Sequence, residues 1–213
     1  MLCKNEIQEI YRKRAARYDW TVNLFYLIGV REIRYRKAAV EALDLKPGSA
    51  VIELGCGTGL NFRYLEEKIG SAGRLIGVDF TKEMLERAQE KVHRYGWSNV
   101  ELVQEDATQY RFPNHVDGII SSFVFSCMPE HESIIERAAR SLRPSGRLVI
   151  LDIKEPQLWP LWAYKLALLT QKPFGASYEI LKQKPWETMG KYFRRVTVKE
   201  RHIGTIYIAV GEM

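Results

Sequence analysis

The chain has 213 residues, of which 46% are hydrophobic and 27% charged, an ordinary composition for one globular domain. No apolar run reaches the roughly 20 residues that span a bilayer, and the charged first 17 residues predict no secretory signal. The three cysteines, Cys3, Cys56 and Cys127, have no metal-ligand spacing and cannot all pair. This pattern predicts a cytoplasmic protein without a metal site, and it excludes a disulfide-stabilised secreted domain.

The net charge of +6 is distributed unevenly along the chain. Residues 1–47 carry ten Lys/Arg and six Asp/Glu, residues 48–153 carry twelve and fifteen, and residues 154–213 carry ten and five. The balances are therefore +4, −3 and +5, so the positive charge lies in two flanks around a mildly acidic centre. Such flanks can serve an anionic membrane surface, nucleic acid or only solubility, of which the last is the commonest.

Helical patterns occupy the first flank. Residues 5–17 predict a basic helix, which Tyr18-Asp19-Trp20 interrupts. A second helical stretch runs to about Leu43, and Pro47-Gly48 marks the turn that leads into the centre of the chain.

Strands and helices alternate through the acidic centre. The predicted strands are residues 50–54, 74–78, 100–103, 117–121 and 147–152, and the predicted helices between them are residues 60–69, 82–95 and 131–142. Pro144-Ser145-Gly146 predicts a turn before the fifth strand. Strands that alternate with helices imply right-handed crossovers and a parallel sheet.

The alternation ends after the fifth strand. Residues 156–175 are rich in Trp, Leu and Tyr, and residues 177–192 predict a helix that Pro185 breaks. Two final runs, residues 195–199 and 205–210, predict an antiparallel strand pair.

A glycine-rich turn follows the first predicted strand. It reads Gly55-Cys56-Gly57-Thr58-Gly59, and Asp79 ends the second strand twenty residues later. Glycine lets the backbone approach a ligand, a helix N-terminus offers free N–H groups, and a carboxylate at that strand end can accept hydrogen bonds from ribose hydroxyls. A dinucleotide fingerprint needs glycine at the sixth position, which here is Leu60. A doubly wound domain without a cofactor is the alternative.

With Glu53 two residues ahead of it, this loop resembles motif I of class I S-adenosylmethionine (SAM) methyltransferases. Residues 78–85 resemble the second-strand region of that family, Asp106-Ala107 the pair that holds the adenine, and residues 117–128 the fourth strand and the loop beside the methyl donor. The resemblance implies a Rossmann-like, doubly wound α/β sheet, mostly parallel, with a C-terminal antiparallel strand pair and N-terminal capping helices.

The match extends to one branch of these enzymes. Arg17-Tyr18-Asp19 resembles a motif in the cap helices of the ubiquinone/menaquinone-biosynthesis and phospholipid N-methyltransferase branch. Residues 25–29 and 206–211 resemble the bacterial phosphatidylethanolamine and betaine-lipid subgroup. The resemblance implies that SAM is the cofactor and that it is bound by Tyr18, Glu53, Gly55, Cys56, Gly57, Thr58, Gly59, Asp79, Phe80, Met84, Asp106, Ala107, Ser121 and Phe123. We interpret Cys56 as a packing residue and Cys127 as a small residue that lines the site.

The acceptor side departs from the pattern of the branch. Many relatives carry a His-His pair in the fourth-strand loop, where this chain has Ser126-Cys127. The departure removes one base and argues against quinol chemistry. Aromatic rings can hold a cationic amine, and a hydroxyl or a carboxylate can take its proton. The candidates for acceptor chemistry are Tyr18, Tyr26, Tyr178 and His202, with packing or surface roles as the alternative for each.

Three functions remain open. The first is methylation of a lipid or quinol, with N-methylation of a phosphatidylethanolamine-type head group preferred and quinol C-methylation as runner-up. The second is methylation of a soluble small molecule, with the Trp-rich segment as an acceptor lid. The third is a non-catalytic SAM-binding or interaction module. A nucleic-acid partner is disfavoured, because Ser121-Ser122-Phe123-Val124 lacks the Pro-Pro-aromatic motif of amino-methyltransferases that act on nucleic acids.

We expect a single methyltransferase domain over residues 1–213. Its parts are a helical cap (1–47), a SAM-binding core (48–153) and an acceptor-side region (154–213). The basic flanks and the aromatic residues 159–169 have the composition of an interfacial helix. Peripheral attachment to an anionic membrane surface is therefore predicted, with a lid or a dimer contact as the alternative for that segment.

Overall fold

The computed structural model describes residues 4–24, 31–128, 130–156, 159 and 182–213. Its helices are α1 (Lys4–Arg14), α2 (Tyr18–Leu24), α3 (Glu32–Ala42), α4 (Phe62–Ile69), α5 (Lys82–Tyr95), α6 (His131–Ser141) and α7 (Pro185–Met189). Its strands are β1 (Ala50–Leu54), β2 (Arg74–Asp79), β3 (Val100–Gln104), β4 (Val116–Ser122), β5 (Leu142–Ile153), β6 (Arg195–Arg201) and β7 (Ile206–Glu212). Within these ranges no helix combines the length and the apolar character that crossing a membrane requires.

All seven strands form one sheet with the order β3-β2-β1-β4-β5-β7-β6. The first four pairings, from β3 to β5, are parallel, and β7 runs antiparallel to both of its neighbours. The predicted α/β fold, mostly parallel with an antiparallel C-terminal strand pair, is confirmed. The strand order reverses between β1 and β4, and ligands of open α/β sheets bind at this point, outside the carboxyl ends of the strands.

Both faces of the sheet are buried. Ile52 and Ile119 belong to the apolar cluster on one face, and Val51 and Ile120 belong to the cluster on the other. Successive side chains of a strand point to opposite faces, so a strand covered on both sides needs a continuous apolar run. The two apolar layers hold the carboxyl ends of the central strands at a common edge.

Two predicted helix breaks differ from the structure. The break after α1 is a 3₁₀ turn at Ala15–Arg17, and Tyr18 begins α2 instead of interrupting a helix. Pro185 is the first residue of α7 rather than a helix breaker, because a proline at this position gives up an N–H that has no partner within the helix.

The fifth strand also begins earlier than predicted. Leu142 pairs with Val116 and Arg147 with Gly118, so residues 143–146 bulge out of β5 opposite a single residue of β4, Asp117. The predicted turn at residues 144–146 is therefore a bulge within the strand.

Candidate active site

A cavity of about 260 Å³ lies at the carboxyl edge of the sheet, beside the switch point. Its wall is built from the N-terminal helices, the glycine loop, the ends of β2 and β3 and the loop after β4. The lining residues are Ile7, Tyr11, Tyr18, Gly55, Gly57, Val78, Asp79, Phe80, Met84, Glu105, Asp106, Ala107, Ser122, Phe123, Val124, Cys127, Met128 and Glu130.

The glycine loop has a backbone that only glycine adopts easily. Gly55, Gly57 and Gly59 have φ values of 64°, 54° and 74°, which lie in the left-handed region that disfavours a Cβ. A Cβ on Gly55 would lie 2.3 Å from Cγ2 of Val124, whereas a Cβ on Gly57 would meet no heavy atom within 4 Å. The loop therefore presents bare backbone to open space at Gly57, as the close approach of a nucleotide cofactor requires.

Asp79 is buried at the end of β2 and tied to the glycine loop. Its Oδ2 accepts a hydrogen bond from the Gly57 N–H at 2.8 Å, and its Oδ1 accepts one from the Thr81 N–H at 2.8 Å. Burial raises the pKa of Asp79, and these backbone hydrogen bonds oppose the rise. Each carboxylate oxygen has a second lone pair, so the group can still accept a ribose hydroxyl.

The turn after β3 carries Asp106 and Ala107, both in the cavity wall. Asp106 Oδ1 accepts a hydrogen bond from the Thr108 N–H at 2.8 Å. From α6, Arg137 donates to the carbonyls of Ala107, Thr108 and Tyr110 at 3.1, 2.8 and 2.8 Å. Sequence reasoning missed this arginine, which holds the turn from outside the cavity.

The N-terminal helices cover one side of the cavity through Ile7, Tyr11 and Tyr18. Gln8 Nε2 donates to the carbonyl of Phe80 at 3.1 Å and docks α1 beside the end of β2. The rings of Tyr11 and Tyr18 lie 6.0 Å apart, centroid to centroid. Burial raises the pKa of both phenols, which are therefore neutral at physiological pH.

A polar clasp joins the cap to the core. Thr58 Oγ1 donates to Asp19 Oδ1 at 2.5 Å. Lys91 Nζ, from α5, lies 2.6 Å from Asp19 Oδ2 and donates to the Thr58 carbonyl at 2.8 Å. Asp19 of the predicted cap motif is thus bound to the glycine loop rather than exposed in the cavity, and Lys91 is a second residue that the sequence did not reveal.

Glu53 lies beneath the site and does not line the cavity. It is 1% exposed, and its Oε1 accepts a hydrogen bond from Asn61 Nδ2 at 2.7 Å. Its Oε2 has no hydrogen-bond partner among the described residues. Burial raises the pKa of Glu53 to about 8, although Arg36 opposes the rise.

Four other residues predicted to bind the cofactor also lie outside the wall. Cys56 is buried in the apolar cluster that contains Val51, and burial raises the pKa of its thiol, which fits a packing role. Thr58 belongs to the clasp, and Gly59 packs against Phe62, 2.7 Å from where its Cβ would be. Ser121 Oγ donates to the Leu54 carbonyl at 3.1 Å and links β4 to β1.

Of the acceptor candidates other than Tyr18, only His202 belongs to the described residues. Tyr26 and Tyr178 lie outside the described residues. His202 lies in the 3₁₀ turn between β6 and β7, with φ 43°, and does not line the cavity. Of the predicted interfacial segment 159–169, only Trp159 is described.

The loop after β4 contributes the floor of the cavity. Cys127 lines it, as expected, and hydrogen-bonds to Tyr11; burial raises the pKa of the thiol to about 12. Buried Asp152, at the end of β5, accepts a hydrogen bond from the Ser126 N–H at 2.9 Å and fixes this loop. Burial raises the pKa of Asp152 to about 6.

A sheet of this order, with a glycine loop at its switch point and an acid at the second strand end, defines a Rossmann-like nucleotide-cofactor domain. Residues 51–146 match a family described as a methyltransferase domain. A demethylmenaquinone methyltransferase from Bacillus cytotoxicus is 26% identical over 183 residues, which are 83% of this chain and 76% of that protein. A relative of the same name from Desulfitobacterium hafniense is 30% identical over 71% of this chain and 60% of that protein.

Solved structures agree with the sequence matches. A SAM-dependent methyltransferase from Aquifex aeolicus is 25% identical, with a TM-score of 0.62 over 83% of this chain and 88% of that chain. Phosphoethanolamine N-methyltransferase 2 from Haemonchus contortus, solved with SAM, shares the fold at 23% identity and a TM-score of 0.57, over 73% of this chain and 35% of that chain. The chain is a class I SAM-dependent methyltransferase, and SAM is its cofactor. The predicted class, enzyme activity and cofactor are confirmed.

Proposed function

We propose that this enzyme methylates the nitrogen of an amine-bearing phospholipid head group of the phosphatidylethanolamine type. The observation that carries the proposal is the chemistry of the cavity wall. Four aromatic side chains line it, Tyr11, Tyr18, Phe80 and Phe123, together with four acids, Asp79, Glu105, Asp106 and Glu130. Among the described residues of the wall there is no Lys, Arg or His. Aromatic faces and carboxylates attract a cationic amine. Two of these acids, Asp79 and Asp106, are assigned to the cofactor, so Glu105 and Glu130 are the ones that remain to attract the acceptor.

Residues of the wall and the loops behind it are proposed to hold SAM. Gly55 and Gly57 supply the bare backbone, Asp79 the acceptor for the ribose hydroxyls, and Asp106 with Ala107 the partners of the adenine. SAM supplies a sulfonium methyl group that is already activated, so the protein has to align the acceptor and exclude water. We assign both tasks to the cap residues Tyr11 and Tyr18, because they line the cavity from the N-terminal side.

The acceptor also has to lose a proton. An ammonium group titrates near the lysine pKa of about 10.4, so its lone pair is scarce at neutral pH. The phenol oxygens of Tyr11 and Tyr18 can accept hydrogen bonds from the ammonium and orient it. Glu130 lines the cavity and is exposed to solvent. We therefore assign it as the carboxylate that takes the proton and passes it to water.

Quinol C-methylation is the second candidate, because the relatives from Bacillus cytotoxicus and Desulfitobacterium hafniense are named demethylmenaquinone methyltransferases. An aromatic wall also suits a flat quinol ring. Ser126 and Cys127 occupy the loop where many members of that branch have two histidines, which favours the amine. A soluble amine is the third possibility.

One assay separates the candidates. The enzyme is incubated with methyl-labelled SAM and mixed micelles of phosphatidylethanolamine, with phosphatidylglycerol as the amine-free control, and in parallel with a demethylated menaquinol and with phosphoethanolamine. We expect label in mono-, di- or trimethylated phosphatidylethanolamine only. Label in the quinol alone, or in phosphoethanolamine alone, would refute the proposal and identify the alternative.

A membrane-bound acceptor further predicts peripheral attachment. The enzyme should float with anionic vesicles at low salt, dissociate at high salt, and bind more weakly after replacement of Trp159 and Trp162 by Ala, because interfacial Trp and basic residues both contribute to such binding. Failure to float under any condition would remove the membrane part of the proposal.

A further inference from the structure

A buried ion pair lies beneath the cavity wall, in α3. Arg36 Nε donates to Glu32 Oε1 at 2.7 Å, and Arg36 Nη2 lies 2.6 Å from the same oxygen. The two side chains are only 7% and 10% exposed. Removing two charges from water is costly, and well-packed apolar residues often stabilise a fold as well as a buried pair does. Stability alone therefore does not explain why the pair is here.

The guanidinium connects α3 to the glycine-loop region and to β4. Arg36 Nη1 donates to Asn61 Oδ1 at 3.2 Å. The amide nitrogen of Asn61 in turn donates to Glu53 Oε1 at 2.7 Å and to Ser122 Oγ at 2.9 Å. Asn61 is fully buried, and Ser122 lines the cavity. Two side-chain hydrogen bonds, joined at Asn61, thus run from Arg36 in α3 to Ser122 in the cavity wall.

The same guanidinium also supports an aromatic ring of the wall. Its Cζ lies 5.3 Å from the centroid of the Phe123 ring. Phe123 lines the cavity with φ 60°, a left-handed conformation that is strained for a bulky residue. Its N–H donates to the Leu151 carbonyl at 2.7 Å, which holds the backbone, while the cation–π contact holds the ring.

Arg36 is close to the cap as well. Its positive charge opposes the rise that burial causes in the pKa of Tyr18, which lines the other side of the cavity. One buried cation is therefore linked to three residues of the wall: to Phe123 by direct contact, to Ser122 through Asn61, and to Tyr18 by its electrostatic effect.

We propose that Arg36, held by Glu32, is a positioning residue for the cofactor site, acting through Phe123 and through the Asn61–Ser122 contact. It does not touch the cavity itself and is not a catalytic residue. The inference concerns the SAM-binding wall and is independent of the identity of the methyl acceptor.

The test measures binding of S-adenosylhomocysteine by calorimetry. Arg36→Met alone would leave Glu32 as an unpaired buried charge, so both charges are removed together in Glu32→Leu/Arg36→Met. We expect this double variant to keep a melting temperature close to that of the parent and to bind at least about tenfold more weakly. Arg147→Met is the matched control. Arg147 pairs with Glu212 and Asp44 at the opposite edge of the sheet, and its loss should leave the affinity unchanged.

A double-mutant cycle with Phe123→Leu separates positioning from a general loss of structure. Phe123→Leu should weaken binding several-fold in the parent enzyme and have almost no further effect in the double variant, because the ring is no longer held there. If the losses of affinity caused by Phe123→Leu and by the double variant multiply when they are combined, the proposal is overturned. It is also overturned if the double variant alone keeps the affinity of the parent.

If the double variant does not fold, Arg36→Lys serves instead. It keeps the cation but loses the fork that reaches both Glu32 and Asn61, so binding should weaken by an intermediate factor. Affinity equal to that of the parent would then refute the inference. None of these measurements needs a methyl acceptor, so the phosphatidylethanolamine assay can fail without affecting them.

Discussion

Asp19→Asn should open the N-terminal cap. In the structure one carboxylate oxygen of Asp19 accepts the Thr58 hydroxyl at 2.5 Å and the other lies 2.6 Å from Lys91 Nζ. The asparagine amide keeps the shape and can still accept from Thr58, but it removes the negative charge and turns a donor toward Lys91. The change therefore isolates the charge-assisted part of the clasp.

The expected loss of binding free energy follows from how far the Asp19–Lys91 pair is exposed to solvent. Hydrogen bonds to charged groups contribute roughly 1.5–3 kcal/mol when buried. The Lys91 and Asp19 side chains are 19% and 43% exposed, so solvent screening reduces the contribution to about 1–2 kcal/mol. If a closed cap is the form that binds the cofactor, affinity for S-adenosylhomocysteine should fall about five- to thirtyfold, because about 1–2 kcal/mol corresponds to such a factor.

Two measurements check this prediction. Calorimetry gives the loss of affinity, and raising the salt from about 0.1 M to about 1 M should weaken the parent more than the Asn variant. Hydrogen exchange in residues 5–26 should slow on addition of S-adenosylhomocysteine in the parent and slow less in the variant. Glu9→Gln is the control, since it removes the same charge from the same cap but breaks only exposed contacts with Arg12 and Lys13. If Asp19→Asn and Glu9→Gln weaken binding equally, the clasp has no role in closing the cap. The same follows if hydrogen exchange in residues 5–26 does not change when S-adenosylhomocysteine binds.

Three further predictions concern the core of the site. Asp79→Ala should weaken binding of SAM and its product by about tenfold to a hundredfold in calorimetry, since a hydrogen bond to a charged group is lost; unchanged affinity would remove its assignment to the ribose. Gly55→Ala should destabilise the protein by about 2–5 kcal/mol in denaturant unfolding, because it combines left-handed strain with a clash against Val124. Gly96 also has a left-handed φ, 68°, but a Cβ there would meet open space, so Gly96→Ala adds strain alone and should lower the free energy of unfolding clearly less. Equal losses of stability in the two variants would show that the clash with Val124 does not contribute. Burial raises the pKa of Glu53 to about 8, so between about pH 5 and pH 8 the folded state keeps a proton that the unfolded state has released, and stability should fall as pH rises. Glu53→Gln should reduce this fall in unfolding experiments across that range, and an unchanged slope would show that Glu53 does not titrate there.

The sequence alone determined the order of elements and the place of the cofactor loop. β1, α5 and the start of β2 have the predicted bounds because hydrophobic period, turn residues and caps are local signals. The glycines at 55, 57 and 59 were recognisable because a left-handed backbone needs a residue without a Cβ. Asp79 was recognisable because the carboxyl ends of parallel strands meet at one edge of the sheet.

Only the tertiary structure decided which side chains meet. Arg36 and Phe123 are 87 positions apart in the sequence, and Asp19 and Lys91 are 72 apart, so no local pattern pairs them. Glu53 precedes the glycine loop as the motif requires, yet it lies beneath the cavity instead of in its wall, where it is bound by Asn61, which in turn is bound by Arg36 of α3. Tyr11 belongs to no motif that marks it as a site residue, yet it is part of the wall, because α1 docks beside the end of β2 through Gln8. Local propensities specify elements, whereas buried polar contacts depend on how distant elements pack, and in this enzyme those contacts shape the site.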